Sequence, residues 1–154
     1  MPAPARTIEA VQGKQKLVWV KKPGGSTFIE IGCLTNYDYT NPGAEAEEIA
    51  CRKKTAQSPG GDKKLFSLNI EGIEHVYTAE NAALNISAAE IEAWVESEPT
   101  EIVTLMFGGS LAGDKQRTAR GWFSNYQDKN PQKGNATYSV TFNPIEKYTI
   151  TTLS

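Results

Sequence analysis

From Thr137 to Phe142 the chain alternates polar and apolar residues without a break, and this run constrains the fold more than any other feature. Tyr138, Val140 and Phe142 share one side of an extended strand, while Thr137, Ser139 and Thr141 share the other. Such a strand has one dry face and one wet face, as in an antiparallel sheet packed on a core from one side. Upstream, GWFSNY carries Trp122, Phe123 and Tyr126, and NPQKG between the two runs is a turn. Residues 119–142 therefore read as a hairpin.

The remainder of the chain follows the same rhythm of short runs and Pro/Gly punctuation. KLVWVKK (16–22) reads as a strand, PGG (23–25) as a turn, and STFIEIGCL (26–34) as a second strand with Ile29, Ile31 and Cys33 on one side. TNYDYT (35–40) continues it as an edge. NPGAEAEE (41–48) opens a charged loop or ribbon that runs to SPGG at 58–61. KKLFSLNIEGI (63–73) turns Phe66, Leu68 and Ile70 inward, and EIVTLMFGG (101–109) is the most apolar run and reads as a central strand. GSLAGDKQRT (109–118) reads as a flexible basic loop, and KYTITTL (147–153) as a last strand. One helix interrupts the pattern. In SAAEIEAWVESEP (87–99), Ser87 is placed to cap and Glu90 follows three residues on. Ile91, Trp94 and Val95 form a narrow apolar stripe, and Pro99 stops the helix. The fold class is mainly β: an antiparallel sandwich or barrel with one short flanking helix.

Charge is uneven along this frame. The net charge is −2, which excludes a broadly basic nucleic-acid binder. Residues 65–101 hold eight glutamates and no lysine or arginine, so an acidic block sits in an otherwise mildly basic chain. Such polarity can guide identical subunits into head-to-tail contact. No apolar run reaches the roughly 18 residues of a membrane span. The opening MPAPARTIEAVQGKQK lacks the apolar core of a secretory signal; residues 1–14 read as a polar arm and 15–154 as a single domain.

Candidate chemistry is sparse. His75 is the one histidine, so no Ser/His/acid or Cys/His relay can be assembled without it. The glycine pairs at 24–25, 60–61 and 108–109 fit no phosphate loop. Cys33 and Cys51 lack metal spacing, and whether they pair is open. Trp122, Phe123, Tyr126 and Tyr138 suggest a stacking platform for sugars or bases, against the plainer reading that they pack on cross-strand neighbours. Neither a catalytic residue, a cofactor nor a metal is expected, and the chain is read as a non-enzyme.

A small β domain without a reactive site binds or assembles. Open sheet edges present unpaired N–H and C=O groups, and closing identical sheets about an axis removes them. The wet faces then line a lumen, with Thr137, Ser139 and Thr141 as lumen candidates. Stacking of rings needs a projection. The charged stretch 42–63 is the candidate, through Glu45, Glu47, Glu48, Arg52, Lys53 and Lys54.

In its order of segments the chain resembles the major tail tube proteins of long-tailed bacteriophages. The resemblance rests on FIEIGCLTNYDYTNPGAEAEEIACRKK, a ribbon, LFSLNIEG, a small acidic helix, an apolar strand, and the closing pattern GWFSN followed by GNATYSVTFNPI; it spans roughly 15–145. It implies six-membered rings, self-assembled and stacked about a tape-measure protein, and capped by terminator and tip proteins. The rings form a virion tail built in the host cytoplasm, whose bore passes DNA without binding it specifically. The inner tube of a contractile tail or injection system shares this character. A carbohydrate-binding β-sandwich is the alternative from another class.

Overall fold

The computed structural model describes residues 16–43, 47–51, 54–58 and 65–153, with the side chains of 47–51 and 54–58 excepted. The described strands are β1 (Lys16–Lys21), β2 (Phe28–Ile31), β3 (Leu34–Thr40), β4 (Glu47–Cys51), β5 (Lys54–Ser58), β6 (Ser67–Ile73), β7 (Asn85–Ile86), β8 (Val103–Gly109), β9 (Lys115–Lys129), β10 (Thr137–Pro144) and β11 (Thr149–Thr152). The helices are α1 (Ala79–Ala82) and α2 (Ala88–Glu96). Nine strands form one sheet in the order β3-β6-β10-β9-β8-β1-β2-β7, with β11 also on β9. All pairings are antiparallel except the short β2·β7 ladder. The remaining pair, β4 and β5, is a separate antiparallel ribbon.

The sheet curls until its first strand faces its middle. Tyr37 and Tyr39 of β3 meet Phe107 of β8 with ring centroids 6.0 and 5.2 Å apart, although four strands separate β3 from β1 and three lie between β3 and β8. Period-two alternation drives the curl, because each strand offers an apolar row to the same interior. Val18 and Val20, Leu68 and Ile70, Leu105 and Phe107, and Val140 and Phe142 are all buried there. Edge-to-face and tilted rings of Phe66, Phe107, Phe123 and Phe142 tie the layers together.

Helix α2 closes one end of this core. Ser87 accepts a hydrogen bond from the Glu90 amide at 3.3 Å, as an N-cap should. The Glu90 side chain, however, reaches Lys22 at 3.0 Å and so pins the helix to the β1–β2 turn. Ile91 is fully buried, and Trp94 stacks on Phe123 at 6.1 Å. Burying one such isoleucine contributes about 1.5–3 kcal/mol, and Ile91→Asp would forfeit it. The helix ends at Glu96 with Ser97 as C-cap, three residues before Pro99.

Several sequence expectations change. Residues 26–34 do not form one strand: the chain turns at Gly32–Cys33, where Cys33 takes φ 54, and Cys33 is exposed while Ile31 is buried. Residues 109–118 are not all loop, because β9 starts at Lys115 and places Gln116 and Arg117 in the sheet. Between them a tight turn is closed by Asp114, whose carboxylate accepts from the Leu111 amide at 3.1 Å. A one-turn helix, α1, and the two-residue β7 were not anticipated. The polar arm at 1–14 lies outside the described residues.

Candidate assembly surface

The outer face of the curled sheet is the broadest organised surface. Cross-strand registers place Asn69, Thr141 and Ser124 on one rung, and Glu71, Ser139 and Gln127 on the next. Thr141 donates to Asn69 Oδ1 at 2.8 Å, and Asn143 donates to Ser124 Oγ at 2.6 Å. These bonds link β6, β10 and β9 across the wet face, so the polar side chains satisfy one another where neither described helix covers them. Thr137, Ser139 and Thr141 stand in line on this face, half-buried, with Tyr138, Val140 and Phe142 buried behind them. A groove of about 170 Å³ runs over the rung, lined by Thr35, Glu71, Gln127, Lys129, Thr137 and Ser139. Further along, the face becomes more apolar. Trp19, Met106 and Thr118 form another rung, and Trp122 sits opposite Asn143.

The aromatic platform is divided between the two faces. Phe123 and Tyr138 are buried, whereas Trp122 is half-buried on the outer side. Tyr126 stacks on Tyr138 at 6.0 Å and donates to Glu74 at 3.3 Å. Burial and then the Glu74 charge push its hydroxyl pKa up. Its inward position comes from a bulge. Ser139 faces Gln127 but Thr141 faces Ser124, so β9 carries one extra residue between them. Asn125 absorbs it with φ 56, a conformation asparagine tolerates better than most side chains.

Arg117 is a residue that sequence reasoning missed by assigning it to a loop. Its guanidinium lies over the rings of Tyr39 and Tyr148, 5.1 and 5.5 Å from their centres. Tyr39 donates to Tyr148 at 3.1 Å, and that bond, joined by one from Arg117, pulls the Tyr148 pKa down. This stack fastens the approach to β11 onto β3. No local spacing announces it, because Tyr39 and Tyr148 are 109 residues apart.

Of the stacking candidates, Glu47 and Glu48 fall in β4 and Lys54 opens β5, in a ribbon that pairs with no other described strand. Glu45, Arg52 and Lys53 lie outside the described residues. Along the main sheet, the outer sides of β3, β11 and the two-residue β7 are left open among the described residues, and β3 is the edge the sequence pattern suggested.

The chain is thus a mainly-β protein organised around a curled sheet with a wet outer face and open edges. The architecture is the tail-tube fold. It is similar to the SPP1 tail tube, with TM-score 0.68 at 9% identity over 93% of this chain and 80% of that one. It is similar also to the tail of an empty gene transfer agent particle, with TM-score 0.64 at 16% identity over 92% and 99%. The anti-feeding prophage baseplate structure contains a further neighbour, with TM-score 0.58 at 10% identity over 96% and 98%. No protein-family model and no curated protein matches the chain in sequence.

Proposed function

We propose that this chain is the structural subunit of a phage tail tube, joining copies of itself edge to edge into rings that stack into a conduit for DNA. The observation that carries the reading is the wet face of the β6–β10–β9 sheet, uncovered among the described residues, on a tail-tube fold. The six-fold symmetry of the gene transfer agent tail and anti-feeding prophage structures supports six-membered rings. In the ring, Thr137, Ser139 and Thr141 face the lumen. The hydroxyls and amides of this face suit a bore, because many lysines or arginines there would hold phosphates by counterion release and slow passage; the one lysine beside Thr137, Lys129, is accompanied by Glu71 in the same groove. The β4–β5 ribbon, within the stretch 42–63, reaches the next ring. Residues 15–154 form the one tube domain, and 1–14 an arm. The tape-measure, terminator and tip proteins are the further partners, and the virion tail, assembled in the host cytoplasm, is the location. The protein works as a scaffold and not as an enzyme.

Concentrated purified protein should form rings or tubes of uniform diameter in negative-stain micrographs; monomers under every condition would overturn the proposal. Replacing Glu45, Glu47 and Glu48 by lysines should leave a folded subunit that forms rings but elongates poorly, and tubes of normal length would remove the ribbon from stacking. The likeness to the anti-feeding prophage structure favours a second reading, the inner tube of a contractile system. A sheath-protein gene beside this one would support it.

A further inference from the structure

The turn between β2 and β3 brings together a thiol and an imidazole that are 42 residues apart in sequence. Cys33 Sγ lies 3.4 Å from His75 Nε2. The other ring nitrogen, Nδ1, is 3.3 Å from the Ile73 carbonyl oxygen. A carbonyl only accepts, so Nδ1 carries the proton and Nε2 turns its lone pair to the thiol. His75 stacks on Tyr77 at 5.9 Å, and the Tyr77 hydroxyl donates to Cys33 Sγ at 4.0 Å. The sulfur therefore has a proton acceptor on one side and a hydroxyl donor on the other.

The backbone holds this arrangement. The Gly32 amide donates to the Ile86 carbonyl at 3.1 Å, and the Ile73 amide donates to the Cys33 carbonyl at 3.0 Å. A side chain at Gly32 would collide with the Tyr77 hydroxyl, so glycine there lets the ring close on the turn. Behind the turn, the Tyr138 hydroxyl is buried without a hydrogen-bond partner among the described residues. It lies near enough to Tyr77 and Cys33 for both to bear on its ionisation, so a polar group inside the fold faces the same cluster. Cys33 itself is exposed and open to a reagent.

We propose that Cys33 and His75 form a nucleophilic thiol site that exchanges with small disulfides. His75 Nε2 takes the proton of the Cys33 thiol as the sulfur attacks one sulfur of the disulfide. A new S–S bond forms to Cys33, the old one breaks, and the leaving thiolate takes the proton from His75. The products are a mixed disulfide on Cys33 and one free small thiol. In the free subunit this exchange makes the surface open to reversible modification.

The test uses the full chain carrying Cys51→Ser, so that Cys33 is the one thiol, with hydroxyethyl disulfide as a neutral probe that the Glu30 carboxylate near Tyr77 does not repel. Adduct formation is followed by mass at neutral pH. The folded chain should react about tenfold or more faster than the same chain unfolded in urea. Adding His75→Gln should abolish that advantage while leaving the melting temperature unchanged. A folded rate no higher than the unfolded one overturns the proposal, as does an undiminished rate in a folded His75→Gln chain. Should His75→Gln fail to fold, the folded-to-unfolded ratio decides alone.

Discussion

The hairpin of β9 and β10 shows two surfaces made from the same backbone. Behind it, Phe123, Tyr138, Val140 and Phe142 are buried against α2 and the curled sheet. In front, Asn143 bonds to Ser124 and Thr141 to Asn69, with nothing above them among the described residues. The rear face holds the subunit together, and its residues are intolerant of charge or voids. The front face contributes little to folding and is free to be chosen for what it touches.

That contrast can be broken most severely with Val140→Asp. An unpaired carboxylate at a 2% exposed site costs several kcal/mol, a large fraction of the stability of a small domain. The variant should be insoluble or lack a cooperative melt by circular dichroism; a soluble, cooperatively melting protein would mean the faces are assigned the wrong way round. Phe142→Ala comes next. It should fold but lose about 3–5 kcal/mol in urea titrations, because the ring leaves a cavity among Phe66, Phe123 and their neighbours.

Alkaline pH probes the same rear face without a mutation. Burial raises the pKa of Tyr138 and Tyr126, and pushes Tyr37 up to about 12 from 10.0. A raised folded-state pKa favours the neutral phenol in the folded chain. Its stabilising contribution is complete below pH 10 and is lost as pH climbs toward 12. Apart from Tyr148, which titrates early, tyrosinate absorbance and loss of circular dichroism should therefore rise together above pH 10, and ionisation of Tyr37, Tyr126 and Tyr138 near pH 10 in an intact fold would contradict the burial. The smallest effect belongs to the front. Thr141→Val removes the bond to Asn69 at a solvated site and should cost under about 1 kcal/mol. A larger loss in the same titration would show that the wet face is a structural element in its own right.

Alternation made most of the sheet legible: the inward sets at Phe66–Ile70 and Tyr138–Phe142, the apolar β8, the edge β3 and the capped α2 all followed from period and punctuation. The failures share a cause. The turn at Cys33 and the early start of β9 depend on contacts with distant segments, such as Ile73 to Cys33 and Thr152 to Lys115. A run of residues does not display those contacts. Among the surface features, the row Thr137, Ser139 and Thr141 was visible because it obeys the period. The Arg117 stack and the Cys33–His75 pair were not, since tertiary folding alone joins them.

Asn125 has a wider bearing on this hairpin. By occupying an extra place in β9 it exchanges odd for even, so that Tyr126 points with Phe123 rather than with Ser124. Straightening the strand with that residue kept would invert every later position up to the tip, sending a tyrosine out to water and Gln127 into the interior, whereas deleting the residue would leave both where they are. A relative that lacks the insertion keeps the same polar and apolar letters on either side of it, and an alignment would show a one-residue gap where the architecture is unchanged.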